Sequence, residues 1–217
     1  MRIALHENVF AALKGEGDLL RAELKEEGVT LFNLMASPGA GKTTFLSRLL
    51  DDLVGKRKIG VIEADCDGEI DSLRMEEKDV PVTQIHTDEM CYVDVDAMRE
   101  GLKGLDLRKL DAVILENVGN LLCPAEFDCG AHHNLCLYSV TDGLDKLSFY
   151  SRLLQGVDAV LISKIDALPY FSFDLAEAKA KIAECNPHAF VFPFSAKTGE
   201  GMEDIENWFL HQFQGGK

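Results

Sequence analysis

The chain lacks a basic surplus. Its 217 residues carry 22 Lys and Arg against 37 Asp and Glu, for a net charge of −15. That balance argues against nucleic acid or an anionic membrane surface as partner, since both repel an acidic protein. Long apolar runs are also missing: none approaches the about 20 residues of a membrane-spanning helix. The opening residues Met1-Arg2-Ile3-Ala4-Leu5-His6-Glu7 hold no apolar segment of the secretory-signal kind. A cytoplasmic location is therefore expected, with the six cysteines reduced, so each is a core residue, a metal ligand or a reactive thiol. No linker, repeat or low-complexity segment divides the chain. Residues 1–217 read as one domain, of which residues 1–28 form an amphipathic N-terminal helical segment with an interruption near Gly15-Glu16-Gly17. At 47% hydrophobic and 27% charged residues, the composition is that of an ordinary globular protein. The length suffices to bury a core without disulfide or metal staples.

What is present centres on Leu31 to Leu50, LFNLMASPGAGKTTFLSRLL. The apolar run Leu31–Met35 reads as a buried strand. It is followed by a glycine-bearing turn and then by Phe45, Leu46, Leu49 and Leu50 at helical spacing. Strand, turn, Lys-Thr and helix describe a phosphate-binding loop. Backbone N–H groups of the turn and of the helix N-terminus converge on one point and favour an anion there. Ser37, Gly39, Ala40, Gly41, Lys42, Thr43 and Thr44 are the expected nucleotide-binding residues. Lys42 adds a point charge for the outer phosphates, and the Thr43 hydroxyl can ligate Mg²⁺. One departure stands out, because Ala36 occupies the place of the usual first glycine.

Strand and helix signals alternate downstream. Strands are expected at residues 59–63, 81–86, 111–116, 135–140, 158–163 and 189–194. Helical spacing runs through Val93–Leu102, Leu147–Leu154, Phe173–Ala183 and Met202–Phe213. Continuous apolar strands alternating with helices imply an α/β fold, a mostly parallel sheet with helices on both faces. Ser163-Lys164-Ile165-Asp166 then falls at a strand's carboxyl end, where such sheets bind ligands. Asp166 can accept from both N1–H and the exocyclic amine of guanine, a donor pair adenine lacks. Losing both contacts costs on the order of 3 kcal/mol, roughly a hundredfold discrimination. The Lys164 stem can line the base, and Ser195-Ala196-Lys197 can offer backbone N–H groups to guanine O6. These segments resemble the N-K-x-D and S-A-K elements of GTP-binding proteins, with Ser163 in place of the Asn that braces the base loop against the phosphate loop. The shorter Ser leads us to expect looser GTP binding.

Together, LMASPGAGKTTFL, VIEADCD, LENVGNLLCPAEFD, SVTDGLDK, SKIDALPY and SAKTGEGM resemble, in that order, the hydrogenase nickel-incorporation GTPases of the HypB family. The resemblance spans residue 6 to the C-terminus. It implies a P-loop GTPase fold of the SIMIBI-like class, and a cytosolic protein that binds GTP/GDP with Mg²⁺. It further implies a homodimer when nucleotide-bound, delivering Ni²⁺ to a nickel-enzyme precursor such as that of NiFe hydrogenase or to a partner chaperone. The family's metal site, for Ni²⁺ or Zn²⁺, uses a Cys-His pair and the Cys of C-P-A. These positions are Cys91, Tyr92 and Cys123, so the cysteines are kept and the His is replaced. Two Cys from each of two copies would supply four sulfurs. His86, Cys129 and His132 are further candidate ligands, each also readable as a strand-edge or loop side chain. Cys-rich or His-rich storage stretches of the kind some members carry do not occur.

The resemblance also makes Asp65 a switch residue near Mg²⁺ and the γ-phosphate, with Gly68 where a Thr is usual. Glu116, ending the strand DAVILE, is placed to hold the Mg²⁺ shell or the attacking water. Lys42, Asp65 and Glu116 are thus the expected catalytic set, and Thr43, Asp65 and Glu116 the magnesium set. Turnover is expected to be slow, because no arginine finger is identifiable. The alternative is a slow or non-hydrolysing nucleotide-dependent chaperone for another metal or cofactor enzyme. A small-molecule kinase would need an Arg-bearing lid, and none is convincing.

Overall fold

The computed structural model describes residues 5–65, 80–87, 90–124 and 127–213, with side chains described from residue 15 onward and not at Asp65. The chain opens with α1 (Leu5–Glu26), β1 (Thr30–Ala36), α2 (Lys42–Leu53) and β2 (Ile59–Asp65). It continues with β3 (Val82–His86), α3 (Val95–Lys103), β4 (Ala112–Glu116) and β5 (His133–Ser139). A 3₁₀ segment at Asp145–Tyr150 leads into the short α4 (Ser151–Gln155), followed by β6 (Ala159–Ser163). α5 (Leu175–Cys185), β7 (Phe190–Pro193) and α6 (Met202–Gln212) complete it. All seven expected strands form, with ends within about two residues of those expected.

The described strands pair in parallel throughout, in the order β3-β2-β4-β1-β5-β6-β7. Both faces are covered, which explains the unbroken apolar strands. Phe32, Leu34, Ile114, Leu137 and Leu161 pack against α2 and α6. The alternate residues Leu31, Val113 and Leu115 meet α1 and α3. Met35, Cys136, Tyr138 and Ile162 meet α4 and α5. β1 lies between β4 and β5, so the turn after it opens where the connections diverge to the two sides. Ligands of open parallel sheets bind at such a point.

Local signals set the helix ends. Asp94 caps α3 by accepting from Ala97 N–H at 2.9 Å, and Asp174 caps α5 by accepting from Ala176 and Glu177. α1 closes with Gly28 at φ 71°, while Val29 N–H reaches back to the Leu24 carbonyl at 2.8 Å. Two expectations need correction. The segment expected as one helix over Leu147–Leu154 is a 3₁₀ stretch joined to α4. The interruption expected near Gly15-Glu16-Gly17 does not occur, for α1 runs unbroken to Glu26.

Close approach, not chain reversal, accounts for Gly17. A Cβ there would sit 2.6 Å from Asp128 Cγ. Arg21, one turn on, forks onto both Asp128 oxygens at 2.8 Å and also reaches Asp18 at 2.6 Å. These contacts push the Arg21 guanidinium well above its ordinary range, the Asp128 hydrogen bond being the largest cause. The two glycines should therefore respond oppositely. Gly15, with nothing within 4 Å of an added Cβ, should tolerate Gly15→Ala with a gain of about 0.5–1 kcal/mol from helix propensity. Gly17→Ala should lose about 1 kcal/mol or more by displacing Asp128, a difference readable in paired urea unfolding curves.

Candidate nucleotide and cysteine site

The turn after β1 carries Gly39 at φ 74° and Gly41 at φ 94°, values that side-chain-bearing residues rarely adopt. Gly41 stands at the N-cap of α2 with no side-chain cap, so the first-turn amides point into the loop. Ala36 needs no such freedom, because it is the last residue of β1, paired in register with Leu137 and wholly buried. The missing glycine thus costs the loop nothing in backbone geometry.

Beneath the loop, Thr43 Oγ1 donates to Glu116 Oε1 at 3.0 Å. Lys42 Nζ donates to the Asn117 carbonyl and lies 3.9 Å from the Glu116 carboxylate. Glu116 is 5% exposed, and Glu63, in register beside it on β2, is 4% exposed. Two buried carboxylates, a hydroxyl and an ammonium thus share one corner. Asp65 ends β2, and its side chain lies outside the described residues. So do Gly68 and the rest of the acidic loop through residue 79.

The loops after β5 and β6 are tied to this turn, and the loop after β7 to the loop after β6. Asp142 Oδ2 accepts from the Ser37 hydroxyl at 2.6 Å. Ser163 Oγ donates to the Ala40 carbonyl at 2.8 Å, fully buried, so the shorter residue makes the brace between base loop and phosphate loop itself. Lys164 Nζ donates to the Gly39 carbonyl at 2.6 Å, and its φ of 62° makes it the one non-glycine residue with positive φ among those described. Asp166 Oδ1 accepts from Ser195 Oγ at 2.6 Å. Ala196 is half-buried and Lys197 exposed beside it; Thr44 is exposed on α2. All the expected nucleotide-binding residues therefore converge on the carboxyl edge of the sheet.

Sulfur gathers at the same edge. Contrary to the expectation that all six cysteines are reduced, Cys91 and Cys123 are joined as a disulfide with Cα atoms 5.9 Å apart, although 32 residues separate them in sequence. Asn120 Nδ2 lies 3.2 Å from Cys123 Sγ, and its Oδ1 accepts from Leu122 N–H at 2.8 Å. Tyr92, at the position of the family's His, lies flat on Phe127 with centroids 3.5 Å apart and planes 3° from parallel. The further ligand candidates fall elsewhere. Cys129 is a core residue, 2% exposed, and burial pushes its thiol up to about 12, far from the thiolate a metal needs. His132 Nδ1 accepts from Leu31 N–H at 3.0 Å and Nε2 lies 3.1 Å from the Arg21 carbonyl, leaving neither nitrogen for a metal. His86 ends β3, exposed and in register with Asp65. Among the described residues no three His, Cys, Asp or Glu side chains group as a metal centre.

Several participants escaped the sequence reading. Glu63 was a charge inside an apolar strand, which was a usable signal. Asp142 and Asn120 fall within SVTDGLDK and LENVGNLLCPAEFD, where no spacing marks them as contacts. Asn33, Asn117 and Asn134 form a chain of side-chain amides across three neighbouring positions. Asn117 Nδ2 donates to Asn33 Oδ1 at 2.9 Å, and Asn33 Nδ2 donates to Asn134 Oδ1 at 3.0 Å. No sequence spacing announces it.

A phosphate loop at the centre of a parallel sheet, with a guanine-type loop two strands away, defines a P-loop nucleotide-binding protein. Residues 30–193 match the CobW/HypB/UreG nucleotide-binding domain. The chain belongs to this family, on its HypB branch. It is 37% identical over 202 residues to the hydrogenase maturation factor HypB of Azotobacter vinelandii, covering 91% of this chain and 67% of that protein. It is also 37% identical over 213 residues to the hydrogenase/urease maturation factor HypB of Helicobacter pylori strain J99, covering 94% and 87%. The crystal structure of Helicobacter pylori HypB in complex with nickel superposes with a TM-score of 0.88 at 33% identity, over 95% of this chain and 99% of that one.

The His132 contacts carry a pH signature. Burial, first among the causes, lowers its pKa from the usual 6.5, so the folded protein favours the neutral ring that Leu31 N–H requires. Its stabilising contribution is complete above pH 6.5, where the unfolded chain is also neutral, and is lost as pH falls below that value. Thermal unfolding of His132→Gln against the parent chain should show a shallower loss of midpoint between about pH 6.5 and 5.

Proposed function

We propose that the chain is a GTP-binding and GTP-hydrolysing nickel metallochaperone that serves maturation of a nickel enzyme such as NiFe hydrogenase. It would dimerise with nucleotide and grip its metal cargo through Cys91 and Cys123. The observation that carries this reading is the segment from Glu116 to Cys123. It receives Thr43 and Lys42 at one end, through the Glu116 carboxylate and the Asn117 carbonyl. It ends on a sulfur contacted by Asn120. The carboxylate that receives the phosphate-loop residues is therefore seven positions from the sulfur proposed to bind metal, on one short stretch of chain.

The donor set at the phosphate end is oxygen-rich. Thr43 and Glu116, with buried Glu63 beside Glu116 and Asp65 at the end of β2, suit a hard divalent cation such as Mg²⁺. Mg²⁺ held there would neutralise charge on the β- and γ-phosphates. The chain's own part is positioning. The uncapped amides of α2 and Lys42 hold the phosphates, Glu116 orients the Thr43 hydroxyl, and Asp166 selects guanine. Little covalent work falls to the protein, so slow turnover is expected.

For Ni²⁺ or Zn²⁺ as cargo, the pair must be open, since a thiolate and not a disulfide sulfur is the ligand. Each chain then offers two sulfurs, and a second copy would complete a four-sulfur site. Tyr92 is a poor ligand for either ion at neutral pH, and its face-to-face seat on Phe127 gives it a packing role. The cytoplasm, where thiols stay reduced, is the compartment this chemistry suits.

Lys42→Ala should slow single-turnover GTP hydrolysis by about a hundredfold or more; an unchanged rate would remove the assignment. Asp166→Ala should cut the preference for GTP over ATP by about a hundredfold, measured as the ratio of the two dissociation constants. If the parent chain binds GTP but shows no hydrolysis, the non-hydrolysing chaperone replaces this reading.

A further inference from the structure

One chain brings together two sulfurs and, among the described residues, no third donor of the metal-binding kind. Two sulfurs leave a tetrahedral or square-planar ion half coordinated. A pair in this position has two ways to be satisfied: a metal shared with donors from another molecule, or a bond to each other. The second needs no further donor, only a two-electron oxidant such as a small disulfide. A Cα separation of 5.9 Å falls within the range disulfides ordinarily span.

We propose that Cys91 and Cys123 form a thiol–disulfide redox site whose reactants are low-molecular-weight thiols and disulfides, and that oxidation there excludes the metal cargo. The competition with metal rests on the function proposed above; the redox chemistry does not. Three features of the surroundings support it. Neither cysteine is a core residue, in contrast to Cys129 and Cys136, which are 2% and 0% exposed. A cavity of about 330 Å³ lies against Cys123, lined by Leu122, Phe149 and Arg152 among others. It is large enough to admit a small disulfide. The Asn120 amide, 3.2 Å from Cys123 Sγ, supplies a hydrogen bond to the sulfur that carries negative charge when it attacks. That marks Cys123 as the entering nucleophile and Cys91 as the resolving thiol.

The chemistry balances without any further component. The Cys123 thiolate displaces one sulfur of the small disulfide, which departs as a thiolate with the electron pair of the broken bond. The Cys91 thiolate then attacks Cys123 Sγ and displaces the second sulfur. The protein pair loses two electrons and two protons. The small disulfide becomes two thiols, and a small dithiol or two monothiols reverse the sequence.

Closure of the pair is unimolecular, whereas a four-sulfur metal site needs a second copy. Dilution should therefore favour the disulfide, and concentration with metal should favour the thiolates. The test uses the full chain, equilibrated across ratios of reduced to oxidised glutathione, acid-quenched, denatured and alkylated for intact mass and peptide mapping. A single two-electron step should protect two of the six cysteines, mapping to Cys91 and Cys123. In Cys91→Ser the same oxidant should leave one glutathione adduct on Cys123. Ni²⁺ or Zn²⁺ added to reduced protein should slow oxidation at least about tenfold, more so at higher protein concentration. All six thiols labelled at the oxidising end, or protection of a different pair, would overturn the redox site. Oxidation of this pair at a rate indifferent to both ions would support the redox site and remove the metal reading instead.

Discussion

A lysine and a glutamate buried in one corner constrain much of what surrounds them. Lys42 and Glu116 retain 16% and 7% of side-chain exposure, and a charge so enclosed costs several kcal/mol unless it is compensated. Compensation requires the start of α2 to meet the end of β4, so β4 must lie directly beside β1. It also places Asn117, the residue after β4, where its carbonyl receives the lysine. The anion-binding turn, the acidic corner and the segment leading to Cys123 are consequences of one electrostatic requirement met by strand order. The Ser163 hydroxyl on the Ala40 carbonyl and the Ser37–Asp142 contact then fix the same turn from the other side of the sheet.

The sheet was legible in the sequence because strands buried on both faces must be apolar without interruption, and helices with one buried face must repeat at their own period. Phe45, Leu46, Leu49, Leu50 and Leu53 all face the core from α2, as their spacing requires. Where reading failed, the cause was tertiary. Gly15-Glu16-Gly17 has the composition of a break, yet Gly17 is small because Asp128, far along the chain, passes over it. The turn after β1 and the Ser163–Asp166 segment stood out locally, since the phosphate and base recognition expected of them requires fixed local spacings. The cysteine pair was reached only through the family resemblance, because its members approach only when β3 and β4 bring their following loops together. Cys129 and His132 looked like ligands by proximity to Cys123, but the first belongs to the core and the second to the α1–β1 junction.

The replacements at three family positions turn out to be unlike one another. Ala36 occupies an extended residue and changes no backbone geometry. Ser163 replaces an amide by a hydroxyl and still reaches the phosphate loop. Tyr92 alters the chemistry, exchanging a nitrogen donor for a ring that packs on Phe127. The first two leave the nucleotide loops with the contacts described, and the third leaves each chain with a two-sulfur pair. Of these three, the replacement that changes the chemistry is thus the one beside the Cys91–Cys123 pair.

The amide chain from Asn117 through Asn33 to Asn134 has a bearing on assembly of the sheet. Apolar strands with both faces covered discriminate poorly between alternative alignments, since most shifts still bury hydrophobic side chains. Asn33 and Asn117, each 1% exposed, do not share that tolerance. Sliding β1 by one residue against β5 would turn Asn33 to the opposite face and strand its amide among hydrocarbon, at about 1–3 kcal/mol for each unmet group. The same slip would carry the phosphate turn about 3.3 Å along the strand axis, out of reach of its partners on the neighbouring loops. These three side-chain amides therefore act as an alignment gauge, admitting only the pairing in which the loops at the far end of the strands coincide.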